Sequence, residues 1–168
     1  EDYALLADLH TGPLVSRDGS VDWLCFPRFD SDAVFTALLG TPENGRWKLS
    51  VAGGEVVDRR YVGTSFVLET LWRSETGLAR VTDFLPPSTD HADLVRRVEC
   101  LEGTVTVEHD LTFRFEYGSR TPWTRTVQSQ GEEAFFAVAG PNALQLSGPL
   151  LHAADDEESE SSNPTLNE

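Results

Sequence analysis

The sequence is poor in several residue types that commonly carry chemistry. Its 168 residues include no methionine, one lysine, two cysteines and four histidines. No CxxC pair is present, and the histidines (His10, His91, His109 and His152) are not spaced as metal ligands usually are. We therefore expect neither a zinc site nor any other metal site.

The chain also lacks the short motifs of several enzyme classes. It contains no GxSxG nucleophile motif. Its one glycine-rich candidate for phosphate binding, "AGGE" at 52–55, is followed by neither the lysine nor the helix that such a loop needs. A pair of carboxylates can hydrolyse a glycosidic bond, but Asp30 and Asp32 have the spacing of a helix start. We therefore predict no catalytic residue and no cofactor in this chain.

Positive charge and long apolar runs are also scarce. Thirteen basic residues face 28 acidic ones, which gives a net charge of −15. A field of this sign repels nucleic acids and anionic membranes, and no apolar run approaches the ~20 residues that a bilayer crossing needs. The first residues, "EDY", lack the basic start and apolar run of a signal peptide. We expect a cytoplasmic protein with no nucleic-acid partner and no membrane partner.

The two cysteines fit the same location. Cys25 and Cys100 each lie in an apolar, strand-like run. Free cysteine behaves as a small apolar residue, and disulfides are rare in the cytosol. We predict two buried free thiols, although the sequence leaves a disulfide open.

Short strand-like runs, separated by turn residues, make up most of the chain. The run "TVTVEHDLTFRF" alternates throughout and predicts a long, half-buried strand over 104–115. Many short strands with regular turns are typical of an antiparallel β-sandwich, so we predict an all-β, supersandwich-like fold. Further strands are expected over 46–51, 56–62, 66–73, 79–85, 94–101, 123–128, 134–139 and 143–146.

The first hairpin has a strong local signal. Asp18 and Gly19 lie between two β-prone runs, and this dipeptide favours a two-residue hairpin turn. With such a turn, Leu14 would face Trp23 and Ser16 would face Val21. This register would place an apolar strand inside the sandwich.

One segment has helical rather than strand periodicity. In "DSDAVFTALLG" the apolar residues Val34, Phe35, Leu38 and Leu39 recur at helical spacing. Asp30 or Ser31 could cap the start and Gly40 the end. The pattern predicts one short helix near 32–39.

The last residues differ from the rest in composition. Residues 152–168 contain six acidic residues and no basic ones, and Leu166 is their one core-forming side chain. Such a segment cannot bury enough apolar surface to fold. We predict a β-sandwich N-terminal domain over 1–151 and an acidic, disordered tail over 152–168.

The segment "FPRFDS" at 26–31 is the strongest candidate for a binding role. Pro27 ends the strand because it cannot donate to a ladder hydrogen bond, and Arg28 and Asp30 flank Phe29 on one side of an extended loop. Arginine and aspartate together can bind sugar hydroxyls or contact another domain, and tryptophan faces such as Trp23 stack on sugars. The alternatives are a local ion pair that only holds the loop and tryptophans that only fill a core.

The same stretch carries a family resemblance. The segment "DYALLADLHTGPLVSRDGSVDWLCFPRFDSDAVFTALLG" closely resembles the start of bacterial trehalase-like and glucoamylase-like proteins of glycoside hydrolase family 15. The likeness continues through "NGRWKL", "RRYVGTSFVLET", "VTDFLPP", "DLVRRVECLEG", "LTFRFEYG" and "VAGPNAL". It covers roughly residues 2–150, and the tail from His152 does not match.

This resemblance implies that support and catalysis belong to two different domains. In the family the region is an N-terminal β-supersandwich, followed by a six-hairpin α/α barrel that carries two catalytic glutamates. Family members hydrolyse α-glucosidic bonds with inversion. No barrel lies within this chain, so the resemblance assigns no catalytic residue to any of its positions and implies that the chain alone is inactive.

The resulting expectation is a non-catalytic N-terminal domain that packs on and supports a catalytic α/α barrel of the same protein. We expect Arg28, Asp30, Trp23 and His10 to contact substrate or the neighbouring domain. The implied substrates are α-glucosides such as trehalose or maltooligosaccharides. The alternatives are a stand-alone carbohydrate-binding module and a β-sandwich that self-associates through uncovered sheet edges.

Overall fold

A computed structural model describes residues 2–88, 91–129 and 132–148. The predicted acidic tail over 152–168 lies outside the described residues, and so do positions 149–151. The described chain divides into two compact units, with the boundary between Pro122 and Trp123. The single domain expected over 1–151 stays a prediction.

Within the described residues the secondary structure is almost entirely strand, and every strand pairing is antiparallel. Two short 3-10 turns, Ala37–Leu39 and Pro42–Asn44, are the exceptions. The strands are β1 Tyr3–Leu5, β2 Leu14–Ser16, β3 Ser20–Cys25, β4 Ala33–Phe35, β5 Arg46–Val51, β6 Glu55–Tyr61, β7 Leu68–Arg73, β8 Gly77–Phe84, β9 Val95–Gly103, β10 Val107–Thr112, β11 Trp123–Ser129, β12 Glu132–Ala139 and β13 Asn142–Ser147.

The first unit contains two sheets. One has the order β1-β2-β3-β5-β10, with β4 paired to β3, and the other has the order β6-β7-β8-β9. The second unit is a three-stranded meander in the order β11-β12-β13. Antiparallel neighbours joined by short turns explain why the strand runs in the sequence are so closely spaced.

The core of the first unit lies between its two sheets. Leu49 and Val51 of β5 pack with Trp72 of β7 and with Ala79 and Val81 of β8, and all five are buried. Two sheets that bury their inner faces against each other form a sandwich. The predicted all-β, antiparallel fold is confirmed.

The first hairpin differs from its prediction by one residue. β2 ends at Ser16 and β3 begins at Ser20, so the loop has three residues rather than two. Leu14 faces Trp23 as predicted, but a bulge brings Val15, not Ser16, opposite Val21. The Ser16 hydroxyl accepts a hydrogen bond from the Ser20 N–H at 3.0 Å, which stabilises the wider turn.

The predicted helix over 32–39 is absent. Ala33–Phe35 forms β4, in which Phe35 pairs with Leu24 of β3, and only Ala37–Leu39 forms a 3-10 turn. All three residues of β4 are buried, whereas Leu39 is exposed. Pairing with β3 outweighs the helical spacing of the apolar residues. The proposed N-caps at Asp30 and Ser31 are therefore wrong, whereas Gly40 does end the 3-10 turn, and its N–H donates to the Ala37 carbonyl.

Two further predictions need correction. The long strand expected over 104–115 is limited to β10, whose first four residues are exposed. The chain then leaves the ladder, because the Arg114 N–H donates to the Val34 carbonyl and Phe115 bridges Arg120. Both cysteines are free, but only Cys25 is buried. Cys100 is exposed because it lies on β9, an edge strand of its sheet.

Candidate functional site

Two loops of the larger sheet are joined by hydrogen bonds. In the β1–β2 loop, the Asp8 carboxylate accepts hydrogen bonds from the His10 and Thr11 N–H groups, each at 2.8 Å. The Phe29 N–H in the β3–β4 loop donates to the His10 carbonyl at 2.8 Å, and the Thr11 hydroxyl donates to the Cys25 carbonyl. Aspartate often organises turns in this way. The two loops therefore present one continuous surface.

Arg28 and Asp30 form an ion pair on this surface. Arg28 Nε lies 3.0 Å from Asp30 Oδ1, with side-chain exposures of 63% and 76%. The hydrogen bond from Arg28 holds the pKa of the Asp30 carboxyl below its usual value. An exposed pair of this kind contributes little to stability. The geometry agrees with a pair that holds the loop, and a role of either residue in binding stays a prediction.

The other two predicted site residues have separate surroundings. His10 is exposed and joins the Arg28 loop through its carbonyl group rather than its imidazole. Trp23 is half-buried, and its ring centroid lies 6.3 Å from that of Tyr117, at an interplanar angle of 41°. The structure thus brings His10, Arg28 and Asp30 to one place and pairs Trp23 with an aromatic residue from the hairpin that joins Phe115 to Arg120.

An open groove of about 520 Å³ lies between the edge strands β1 and β6. Its main polar side chains are bonded within the fold. The Tyr3 hydroxyl donates to Asp22 at 2.8 Å, and burial together with this bond raises the pKa of Tyr3 to about 12. An Arg59 Nη donates to the Val15 carbonyl, and burial lowers the pKa of Arg59. These bonds indicate a seam between two sheets rather than a reaction centre.

A buried charge cluster is the feature that sequence reasoning missed. Arg96 of β9 has a side-chain exposure of 0%, and its Nε lies 2.9 Å from Oδ1 of Asp83, whose exposure is 2%. Its two Nη atoms donate to the Trp47 and Gly19 carbonyls at 2.6 and 2.7 Å, so the guanidinium joins both sheets. An arginine and an aspartate within otherwise apolar strand runs were the available signal, because charges are almost never fully buried unless paired.

This cluster affects a neighbouring histidine. The Trp47 indole N–H donates to His109 Nε2, and the two rings lie 5.8 Å apart. Burial and the positive charge of Arg96 lower the pKa of His109. The neutral imidazole is the form that can accept the indole hydrogen bond. His109 is therefore part of the packing around Arg96.

Across the described ranges, no group of three or more His, Cys, Asp or Glu side chains could hold a metal ion. No helix in the same part of the chain is long and apolar enough to cross a bilayer.

Comparisons with known proteins agree on one family. The family model for the trehalase-like N-terminal domain matches residues 1–167. The trehalase of Mycobacterium tuberculosis is 34% identical over 163 residues, a match that covers 84% of this chain and 24% of that protein. The trehalase of Mycolicibacterium smegmatis is 33% identical with the same coverages. Trehalase 2 of Sulfolobus acidocaldarius is 31% identical, and the match covers 74% of this chain and 20% of that protein.

The matches cover only part of each relative, and none of them is to a solved structure. No solved structure matches the chain significantly. The chain spans about a quarter of the length of the mycobacterial trehalases, which are 24% covered. A match to the family model over nearly the whole sequence is nevertheless decisive for the family. The chain belongs to the trehalase-like N-terminal domain family.

Proposed function

We propose that this chain is the non-catalytic N-terminal domain of an α-glucoside hydrolase of trehalase or glucoamylase type, of the kind grouped in glycoside hydrolase family 15. It packs on and supports a catalytic α/α barrel of the same protein in the cytoplasm. The substrates of the whole enzyme would be α-glucosides such as trehalose. The observation that carries the proposal is the family match over residues 1–167, together with relatives about four times as long.

The geometry of the chain supports a structural role. Its buried polar cluster, around Arg96 and Asp83, lies inside the sandwich and joins its sheets. In the groove beside Tyr3 and Arg59, the Tyr3 hydroxyl and an Arg59 Nη are bonded within the fold, while Arg59 Nε is buried without a hydrogen-bond partner. Glycoside hydrolysis needs two carboxyl groups that face a substrate from opposite sides. The described side chains are arranged to hold a β-sandwich together.

A chimeric enzyme tests the proposal. In the M. tuberculosis trehalase, the N-terminal part that matches this chain is replaced by the chain itself. We expect the chimera to hydrolyse trehalose and the isolated chain to show no hydrolysis. The remainder of the enzyme without any N-terminal part should be unstable or much less active, because it lacks its support.

Two results would contradict the proposal. Hydrolysis of trehalose by the isolated chain would show that it carries its own catalytic site. A chimera that neither folds nor hydrolyses trehalose would show that the chain cannot serve as the N-terminal domain. Trehalose titration followed by tryptophan fluorescence addresses the alternative of a carbohydrate-binding module, since Trp23 and its partner Tyr117 would report a bound sugar.

A further inference from the structure

A group of large apolar side chains is exposed along one end of the first unit. We name this surface the apolar rim. Its members come from β1, the β1–β2 loop, the β3–β4 loop, and the end of β6 with the turn that follows it. Their exposed fractions range from 40% to 88%, and they are Leu5, Leu9, Phe29, Tyr61 and Phe66.

Contacts join four of the five members of the apolar rim. Leu5 Cδ1 and Phe29 Cε1 both lie over Gly12, at 2.9 and 3.0 Å from the point where a Cβ would stand. The Tyr61 hydroxyl donates to the Leu5 carbonyl at 2.9 Å and accepts from the Leu5 N–H at 3.0 Å. Phe66 packs edge-on against Tyr61, with ring centroids 6.4 Å apart. Leu5, Phe29, Tyr61 and Phe66 therefore lie side by side, and Leu9 belongs to the loop whose His10 carbonyl accepts from the Phe29 N–H.

Leu9 is the most exposed member, and its backbone is strained. Its φ angle is +76°, a left-handed conformation that a leucine rarely adopts. The hydrogen bonds that Asp8 accepts from the next two N–H groups stabilise this turn. A strained backbone that holds an 88% exposed leucine in water lowers the stability of the isolated chain. Such strain is usually retained where it serves a contact.

The outward face of the smaller sheet is charged rather than apolar. Glu69 of β7 pairs with Arg60 of β6 at 3.2 Å and with Arg80 of β8 at 3.4 Å. Arg80 in turn pairs with Glu99 of β9 at 2.7 Å. A row of ion pairs across all four strands is suited to water. The apolar rim is thus a local feature of the first unit, and contiguous exposed apolar surface of this kind marks interaction sites.

We propose that the catalytic part of the same polypeptide docks on the apolar rim. It does so through an apolar patch of its own that has a basic border. This inference rests on the proposed function and names the surface that it uses. The relatives extend far beyond the matched region, since only 24% of their length is covered. A covalently joined partner has a high effective concentration, so a modest apolar patch is enough to hold it.

Charge favours this partner over a second copy of the chain. The chain carries a net charge of −15, so two copies repel each other. Asp8, Asp30 and Asp32 lie in the rim loops, with Arg28 as the one basic residue of the β3–β4 loop. A partner surface with arginine or lysine around an apolar centre would complement both the rim and the overall charge.

Three variants test the docking in two contexts. Leu9→Asn and Phe29→Ser change the apolar rim. Leu101→Ser is the matched control, because Leu101 is 39% exposed and lies on β9, at the opposite edge of the smaller sheet from β6. Each variant is made both in the isolated 168-residue chain and in the chimera with the remainder of M. tuberculosis trehalase. The readouts are the Tm and the rate of trehalose hydrolysis.

Leu9→Asn should lower the Tm in the chimera only. In the isolated chain the Tm should rise or stay constant, because asparagine tolerates the left-handed conformation. In the chimera the Tm should fall by about 2–4 °C, because the apolar contact is lost. Phe29→Ser should also lower the Tm more in the chimera than in the isolated chain. Leu101→Ser should give equal shifts in both contexts.

The outcomes separate the two proposals. If the chimera hydrolyses trehalose but its Tm responds to Leu9→Asn and Phe29→Ser no more than to Leu101→Ser, the docking surface is overturned. The proposed function then still stands. If the isolated chain dimerises through the rim and the chimera is insensitive to the rim variants, the rim binds a second copy of the chain and the proposal is overturned. A parent chimera that does not fold overturns the proposed function, and the docking surface with it.

Discussion

The buried Arg96 side chain makes more hydrogen bonds within the protein than a surface arginine usually makes. Its guanidinium donates to both oxygens of Asp83, at 2.9 and 3.3 Å, and to the Gly19 and Trp47 carbonyls. It also lies 5.3 Å from the centre of the Trp47 ring. Burial of an ion pair is costly unless further hydrogen bonds satisfy it, and this pair has them. One side chain therefore connects the two sheets of the sandwich.

Replacement of Arg96 should be strongly destabilising. Arg96→Met leaves Asp83 as an uncompensated buried charge, and we expect a loss of about 3–5 kcal/mol in the free energy of unfolding, measured by urea denaturation. The double variant Arg96→Met/Asp83→Leu removes both charges and should recover part of this loss. A single variant within about 1 kcal/mol of the parent, the range of exposed ion pairs, would show that Arg96 and Asp83 do not connect the two sheets.

At the scale of elements, the strands were easier to predict than the connections between them. β5 was predicted with its observed bounds, because alternating apolar residues between turn signals define a strand locally. The helix over 32–39 failed because β4 gains its stability from β3, a partner that periodicity does not reveal. The predicted two-residue turn was wrong, because the Ser16 hydroxyl accepts a hydrogen bond from the Ser20 N–H and stabilises a three-residue loop.

A tyrosine links two strands that do not belong to the same sheet. The Tyr61 hydroxyl at the end of β6 bonds both the N–H and the carbonyl of Leu5 in β1. β1 has only three residues and one strand partner, so these bonds form a large part of its anchorage. The sequence could not show this, because the two residues are 56 positions apart.

Tyr61→Phe should therefore loosen β1 selectively. The variant keeps the ring contact with Phe66 but loses two hydrogen bonds, and we expect the free energy of unfolding to fall by about 1–2 kcal/mol. Amide hydrogen exchange should accelerate most at Ala4 and Leu5, since local opening is governed by local bonds. Tyr117→Phe, at an exposed tyrosine of the hairpin that joins Phe115 to Arg120, is the control. Equal exchange rates in Tyr61→Phe and the parent would show that the hydroxyl does not hold β1.

At the scale of the whole molecule, composition and motifs predicted more than individual sites. The all-β fold and the likeness to trehalase-like N-terminal domains followed from strand patterning and from a long, ordered motif, and both are confirmed. The site residues Arg28, Asp30, Trp23 and His10 stay predictions, because their role depends on a partner surface that the chain does not contain. The apolar rim could not be predicted from the sequence, because its members come from distant segments and are of residue types that usually lie in a core.

The net charge makes the stability of the chain dependent on salt. With −15 at neutral pH, self-repulsion opposes the compact state. We expect the Tm near neutral pH to rise by about 2–4 °C between low salt and roughly 0.15 M NaCl. Near pH 4.5, the isoelectric point, the rise should vanish because little net charge is left to screen. A Tm that falls with salt at neutral pH would instead show that the surface ion pairs outweigh the repulsion.

The bond between Arg96 and the first hairpin also has a consequence for the order of events during synthesis. Gly19 stands in its turn with φ +80°, and its carbonyl accepts from an arginine 77 positions further along the chain. A ribosome adds about 5–20 residues per second, so that arginine follows the glycine by roughly 4–15 s. Throughout that interval the hairpin has its local bonds but not its arginine. The turn between β2 and β3 is thus completed only when β9, the last strand of the smaller sheet, has been made.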